Sequence, residues 1–380
     1  MYDHLLLTDP QQLQAIEDVL LTTYFKEYES QYLQSEEGKR DIEANVSGRY
    51  KNAIEHVVPW VADHIALEGK KLAEIGCGTG SSTAAFAHFV DDIVGYDINE
   101  QAVAGARGRL AIMSLQNVAL HVVKPDDLLT SLKNDLAGGV DIILLFAVLE
   151  HQTIQERHAT ISLCWELLNP DGLLVVTETP NLLTYTDLHT SLLPFLHLLP
   201  ADLYQRYASH SERIRFQESL ASSSGLSAKE LEESISRWGR GVSYHDFELA
   251  LGTKYAAYLV AQGFEELILS WFEVSFEEEL LRQYFLLKEL DVPLAFTREV
   301  LNLIFKKSED VTRGELVIPE NRYVADMHTV SEQAIYIDTL KTEWIIAHER
   351  LEELQSAAKQ KKRCFLSRQV QQLKDFLFHS

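Results

Sequence analysis

The sequence predicts an α/β fold, a doubly wound domain whose sheet is mostly parallel, and three observations predict it. From Lys71 onward, short apolar runs alternate with helical segments, with a turn at each junction, as a parallel sheet with crossover helices requires. A glycine-rich stretch, Gly76-Cys77-Gly78-Thr79-Gly80, directly follows the first apolar run and directly precedes a helix. An acid, Asp97, closes the second run.

Taken in order, residues 1–69 read as a helical cover. Asp9 before Pro10 marks a helix start: the carboxylate caps free amides, and proline has no N–H to leave unpaired. Further on, Ile54, Val57, Val58 and Val61 keep helical spacing. Residues 70–180 form the core, with strands expected at 72–75, 93–96, 118–123, 140–146 and 172–177, and helices starting near Ser81, Asn99, Leu128 and Thr153. Residues 181–243 read as a helical insertion, in which Ser227 and Glu230 form a capping box. The sheet resumes within 244–328. There 255–264 reads as a helix stopped by Gly263, 265–274 as the next strand, Ser275 and Glu278 as the opening of another helix, and 315–327 as a last strand.

The tail, 329–380, has its own period. Ile337, Leu340, Trp344, Ala347, Leu351, Leu354 and Ala358 are spaced by three and four in alternation, a narrow helix-packing seam. It reads either as an antiparallel pair packed on its own chain or as a homodimer contact.

Composition narrows the function. The 380 residues hold 34 Lys and Arg against 57 Asp and Glu, a formal charge of −23, so a surface that binds by neutralising phosphates is disfavoured and nucleic acid is not an expected partner. Three scattered cysteines, Cys77, Cys164 and Cys364, leave one unpaired under any pairing and fit a reducing, cytoplasmic setting. The most apolar stretch, 142–149, is too short to span a bilayer, and residues 1–12 carry no basic segment leading into a long apolar run.

The glycine loop carries the chemistry. Alternate glycines let the backbone turn sharply and let a ligand approach where any Cβ would intrude, while the following helix aims unpaired N–H groups above the loop. A carboxylate at the end of the next strand accepts hydrogen bonds from both ribose hydroxyls of an adenosine-containing ligand. Loop and acid together specify a nucleoside cofactor. The third glycine falls one residue earlier than in the G-x-G-x-x-G of dinucleotide binders.

At Glu74 to Gly80, at Asp97, at Asp141 to Phe146, at Val148-Leu149-Glu150-His151 and at Leu167 to Leu174 the chain resembles the class I S-adenosylmethionine-dependent methyltransferases, over roughly residues 48–180. The resemblance implies a seven-stranded Rossmann-like sheet and S-adenosyl-L-methionine as cofactor. By that likeness Gly76, Cys77, Gly78 and Gly80 flank the methionine portion, Glu74 helps hold its amino-acid end, Asp97 and Ile98 meet the ribose, and Phe146 lies beside the methionine. The adenine contact after the third strand falls to Asp126, with Asp127 as the alternate. Tyr50 reads as a lid residue or a packed aromatic.

Methyl transfer from a sulfonium is an in-line displacement that asks mainly for alignment and exclusion of water, with a base if the nucleophile is a hydroxyl. His151, after the fourth strand, is the candidate base with Glu150 beside it; the same pair also reads as a local turn stabiliser. His189, soon after the fifth strand, reads either as a second residue facing the substrate or as a surface or packing residue of the insertion, and His245 is a further candidate. In some subfamilies carrying the Glu-His pair a glutamate three residues earlier completes a metal site; here that residue is Ala147, and no metal is assigned. The expected activity is methylation of a small-molecule, sugar or lipid-linked acceptor, at oxygen. A cofactor-binding scaffold with a helical tail, or a protein methyltransferase, is the alternative.

Overall fold

The computed structural model describes residues 2–308 apart from Ser224, together with six positions between 342 and 350. The chain divides into two units, Met1–Pro319 and Glu320–Ser380. In the second, Thr342, Trp344, Ile345, Ile346, His348 and Arg350 are helical and exposed. The rest of the heptad-like seam and the strand expected at 315–327 lie outside the described residues.

The first unit is built on one sheet of seven strands in the order β3-β2-β1-β4-β5-β7-β6. The strands are β1 (Lys71–Ile75), β2 (Asp92–Asp97), β3 (Val118–Val122), β4 (Val140–Phe146), β5 (Leu168–Pro180), β6 (Leu259–Ala261) and β7 (Val300–Lys306). β1 to β5 are parallel, and β7 runs antiparallel to both β5 and β6. Successive residues of the central strands alternate between two apolar layers: Ala73, Ile143, Leu145 and Leu174 face one, Leu72, Ile142, Leu144 and Leu173 the other. The connecting helices Ser81–Phe86, Glu100–Ile112, Leu128–Asp135 and Ile154–Leu167 cover both faces, and Asn99 and Thr153 cap theirs with side-chain acceptors. The doubly wound reading therefore holds.

Upstream, Asp9 caps Pro10–Thr22 as expected. Glu36–Glu43, Arg49–Asn52 and Val58–Ala62 run on through two wide turns, Ala44–Gly48 and Ala53–Val57, the second of which falls just before Pro59. A proline there has no N–H to give and crowds the preceding turn, which the wide turn relieves.

The far edge of the sheet corrects two expectations. The helix expected over 255–264 is only Tyr255–Tyr258, and the chain then becomes β6, because Leu259 and Ala261 find backbone partners in Phe305 and Ile304. Residues 265–274 hold no strand; Glu266–Leu269 is a helical turn, with Glu265 accepting from the Gln262 and Gly263 amides and Ile268 buried. The seventh strand is β7. Its run Val300-Leu301-Asn302-Leu303-Ile304-Phe305 shows little alternation because nearly all of it is buried.

The insertion after β5 begins irregularly and becomes helical at Ala201–Tyr207, Ile214–Ser222 and Ala228–Trp238, the last opened by the Ser227–Glu230 capping box. It has a small core of its own, with Leu196, Tyr204, Phe216, Leu220, Leu231 and Ile235.

Candidate active site

The carboxyl ends of β1, β2, β4 and β5 open into one cleft of about 680 Å³, a size usual for small-molecule sites. The glycine loop forms its floor. Gly76, Gly78 and Gly80 all take positive φ, at +76°, +50° and +75°, where glycine is at ease. Their surroundings differ. A Cβ on Gly76 would stand 2.2 Å from Val148 Cγ2 and one on Gly80 2.8 Å from Ala106 Cβ, whereas one on Gly78 would meet nothing within 4 Å. Gly78 is the residue that keeps the floor open.

Asp97 binds this loop directly. One carboxylate oxygen accepts from the Gly78 amide at 2.7 Å and the other from the Asn99 amide at 2.8 Å. The loop is also fixed from behind by Arg109, whose buried guanidinium donates to the carbonyls of Thr79, Val46 and Asn45. Those bonds tie the loop to the N-terminal helices, from which Tyr24 and Arg49 reach the cleft. Tyr50 does not reach it; its ring is fully buried and its hydroxyl donates to the Leu5 carbonyl at 2.8 Å.

Two expected contacts lie elsewhere. Glu74 is wholly buried behind the loop, where its two oxygens accept from Ser82 and Thr83, so it anchors β1 to the following helix instead of lining the cleft. Burial holds its pKa up at about 7. Asp126 and Asp127 sit exposed in the turn Pro125–Asp127, while Val123, Pro125, Leu128 and Leu129 supply an apolar wall. Cys77, Ile98 and Phe146 line the cleft, as do Gly76 and Gly78. Burial pushes the Cys77 thiol up.

At the other end of the cleft stand His151 and His189, with the fully buried Glu150 behind them. His189 enters from the insertion, and the two imidazole rings meet edge to face at 5.3 Å. Nε2 of His151 lies 3.8 Å, and Nε2 of His189 3.9 Å, from Glu150 Oε1. Burial lowers both imidazole pKa values, that of His189 to about 4, and raises Glu150 to about 8. His245 lies away from the cleft, exposed and stacked on Tyr244.

Other groups here were not legible in the sequence. Arg237 ion-pairs with Glu156 at 2.7 Å and donates to the His151 carbonyl at 2.9 Å, and all three residues line the cleft. Glu178 sits at an irregularity of β5 against β7, with φ +52°, and lines both this cleft and an adjoining cavity of about 310 Å³. Bulges of this sort re-aim side chains at sites. Burial lifts its pKa to about 7. A bulge position carries no sequence mark.

Comparison with known proteins fits this geometry. Residues 73–174 match the family described as "Methyltransferase domain". The chain is similar to the ubiquinone biosynthesis O-methyltransferases of Aromatoleum aromaticum, 29% identical over 30% of this chain and 45% of that protein, and of Cupriavidus pinatubonensis, 25% identical over 49% and 68%. A probable S-adenosylmethionine-dependent methyltransferase of Mycolicibacterium smegmatis is 28% identical over 31% of this chain and 41% of that one. The chain thus spans less than half the length of two of these three relatives. Among solved structures, the magnesium protoporphyrin IX methyltransferase of Synechocystis aligns at 21% identity over 46% of this chain and 79% of that one, with a TM-score of 0.32. Residues 73–174 are a methyltransferase domain of the class I, S-adenosyl-L-methionine-dependent kind. No helix among the described residues is long and apolar enough to cross a membrane.

Proposed function

We propose that the chain transfers a methyl group from S-adenosyl-L-methionine to an oxygen of a small-molecule acceptor, sugars and lipid-linked acceptors included. The observation that carries this reading is that one cleft joins the glycine loop, with Asp97 bonded to it, to the polar cluster at His151 and His189.

The cleft suits the cofactor on its own terms. The space over Gly78 is open, and two buried polar atoms of lining residues, Ser81 Oγ and Gln152 Oε1, have no protein partner. In this reading Gly76, Gly78 and Ser81 hold the methionine portion, Arg49 its carboxylate, Asp97 the ribose, and Val123, Leu128 and Leu129 the flat base, with Phe146 beside the sulfur end. When bound, the cofactor supplies an activated methyl on a sulfonium. The apolar wall excludes water, and the walls at Phe146 and His189 set the line along which an acceptor oxygen approaches. The hydroxyl proton leaves toward the cluster of His151, His189 and Glu150. The acceptor's body occupies the adjoining cavity beyond Glu178, against Trp271 and Phe272. We place the enzyme in the cytoplasm, which the buried free thiols of Cys77 and Cys164 favour.

Calorimetry with S-adenosylhomocysteine tests the cofactor half: the full chain binds, and Asp97→Ala binds at least ~10-fold more weakly through loss of charge-assisted hydrogen bonds. Equal binding by the two proteins defeats the assignment. Mass spectrometry of extracts incubated with the deuterated-methyl donor then reports the acceptor.

A further inference from the structure

The hydrogen bonds around His151 and His189 fix which ring nitrogen of each carries its proton. Nδ1 of His151 lies 3.0 Å from the main-chain carbonyl of Arg237. A carbonyl only accepts, so the proton is on Nδ1 and the lone pair is on Nε2. Nδ1 of His189 lies 2.9 Å from Thr190 Oγ1, whose own hydrogen is given to the Gly239 carbonyl at 2.8 Å. Thr190 therefore accepts from His189, whose lone pair is again on Nε2.

Those two lone pairs converge on Glu150. The ligating atoms of the three residues all lie within 4.8 Å of one another. Glu150 is 0% exposed, and neither carboxylate oxygen has a hydrogen-bond partner. The nearest buried cation, Arg157, spends its donors on the carbonyls of Leu149, Arg240 and Gly241 and on Asp246. Three acceptors thus face one point with no donor between them, in a place where an unpartnered carboxylate is costly. A proton on Glu150 can be given to one imidazole only, which leaves the other lone pair unmet. A cation satisfies all of them.

We propose that Glu150, His151 and His189 form a three-ligand site for one divalent transition cation. Two imidazoles and one carboxylate suit zinc, cobalt or iron(II) better than magnesium or calcium, which take mostly oxygen ligands. Ligands at ~2.0–2.2 Å from one ion stand roughly 3–3.5 Å apart, so on binding the two imidazole–carboxylate pairs, at 3.8 and 3.9 Å, close by about an ångström or less and the widest separation, within 4.8 Å, by up to about 1.8 Å. His151 and His189 line the cleft, which leaves the remaining coordination positions open to water or an acceptor oxygen. Ala147 removes the ligand expected next to the Glu-His pair in the sequence, and the insertion supplies His189 in its place. The cation site stands on these residues alone; only its use on an acceptor oxygen rests on the methyltransferase reading above.

The test uses the full chain without a histidine tag, stripped with chelator and titrated with zinc by calorimetry and with cobalt(II) by visible absorption. One equivalent binds, and cobalt gives the colour of a low-coordinate nitrogen–oxygen site. Glu150→Gln and His189→Ala each weaken zinc binding by at least ~10-fold, while His245→Ala binds as the parent does. S-adenosylhomocysteine titrations run in parallel verify that each variant is folded. Absence of saturable uptake by the parent, a colourless cobalt form, or uptake that survives in both folded variants overturns the proposal. Metal uptake without S-adenosylhomocysteine binding sinks the cofactor reading alone, and the reverse sinks this one alone.

Discussion

Nδ1 of His151 donates to the main-chain oxygen of Arg237 at 3.0 Å, and Arg237 returns a bond from its guanidinium to the main-chain oxygen of His151 at 2.9 Å. This reciprocal pair joins the turn after β4 to the last helix of the insertion, and the Arg240 amide, donating to the Glu150 carbonyl at 2.8 Å, adds a third bond beside it. The insertion is therefore held against the candidate catalytic turn, not simply near it.

Removing the guanidinium half of that clasp, which leaves both main-chain bonds in place, should loosen His151 while sparing the cofactor end. Arg237→Ala is expected to lower kcat/KM by roughly 10–100-fold, the size of loss that an ångström of misplacement brings, with S-adenosylhomocysteine affinity held within about 3-fold. The Glu156 ion pair is about a third exposed, so the stability cost is only about 1 kcal/mol. Arg237→Lys keeps charge but not the forked geometry, and steady-state kinetics should show it recovering little.

The glycines of the loop should separate into two kinds. Gly78→Ala has room for its Cβ and costs about 1 kcal/mol for its left-handed backbone, yet that Cβ points into open cleft and should weaken S-adenosylhomocysteine binding by at least ~10-fold. Gly80→Ala meets Ala106 and should instead lose stability by ~2 kcal/mol or more. Denaturant unfolding beside calorimetry distinguishes the two outcomes.

Arg109 is buried with three neutral carbonyls as its partners, and burial lowers its pKa to about 10. Arg109→Met keeps much of the volume but leaves those carbonyls unpaired. The expected loss is ~3 kcal/mol or more. The N-terminal helices should also loosen from the glycine loop, seen as faster amide exchange around Thr79 and Val46.

Stability should fall as pH rises through the weakly acid range. The Glu74 carboxyl titrates near 4.3 in an unfolded chain, and in the folded chain burial, opposed by Ser82 and Thr83 and aided by the nearby Asp97 charge, holds it at about 7. Between those values the folded state keeps a proton that the unfolded state has released, which makes the slope negative. Glu150 and Glu178, raised likewise, add to the decline, the lowered imidazoles of His151 and His189 oppose it below about pH 6.5, and Asp141 and Glu156, shifted downward, lose their contribution only in more acid solution. Urea midpoints from about pH 5 to about pH 8 should decline for the parent, and decline less steeply for Glu74→Gln.

Much of this architecture is legible in the amino-acid sequence. The first five strands and the helix starts at Ser81, Asn99, Leu128 and Thr153 announce themselves through local period and caps, because neighbours a few residues apart decide those features. The glycine loop and Asp97 belong to the same class: a positive-φ turn and a strand-end acid need only their own segment to be recognised. The far edge of the sheet did not yield to such reading. Leu259 to Ala261 are too few to carry a period, and they become a strand only because β7 lies alongside with free backbone groups.

The chain's own order of residues settled the nucleotide-type crevice, since each part of it is written within one βαβ unit. Three-dimensional packing alone decided the acceptor end. It drew Glu74 behind the loop, swung Glu178 outward at a bulge, and carried His189 and Arg237 from the insertion to within reach of Glu150 and His151. Contacts between segments so distant in sequence depend on the close packing of whole elements, and no local spacing encodes them.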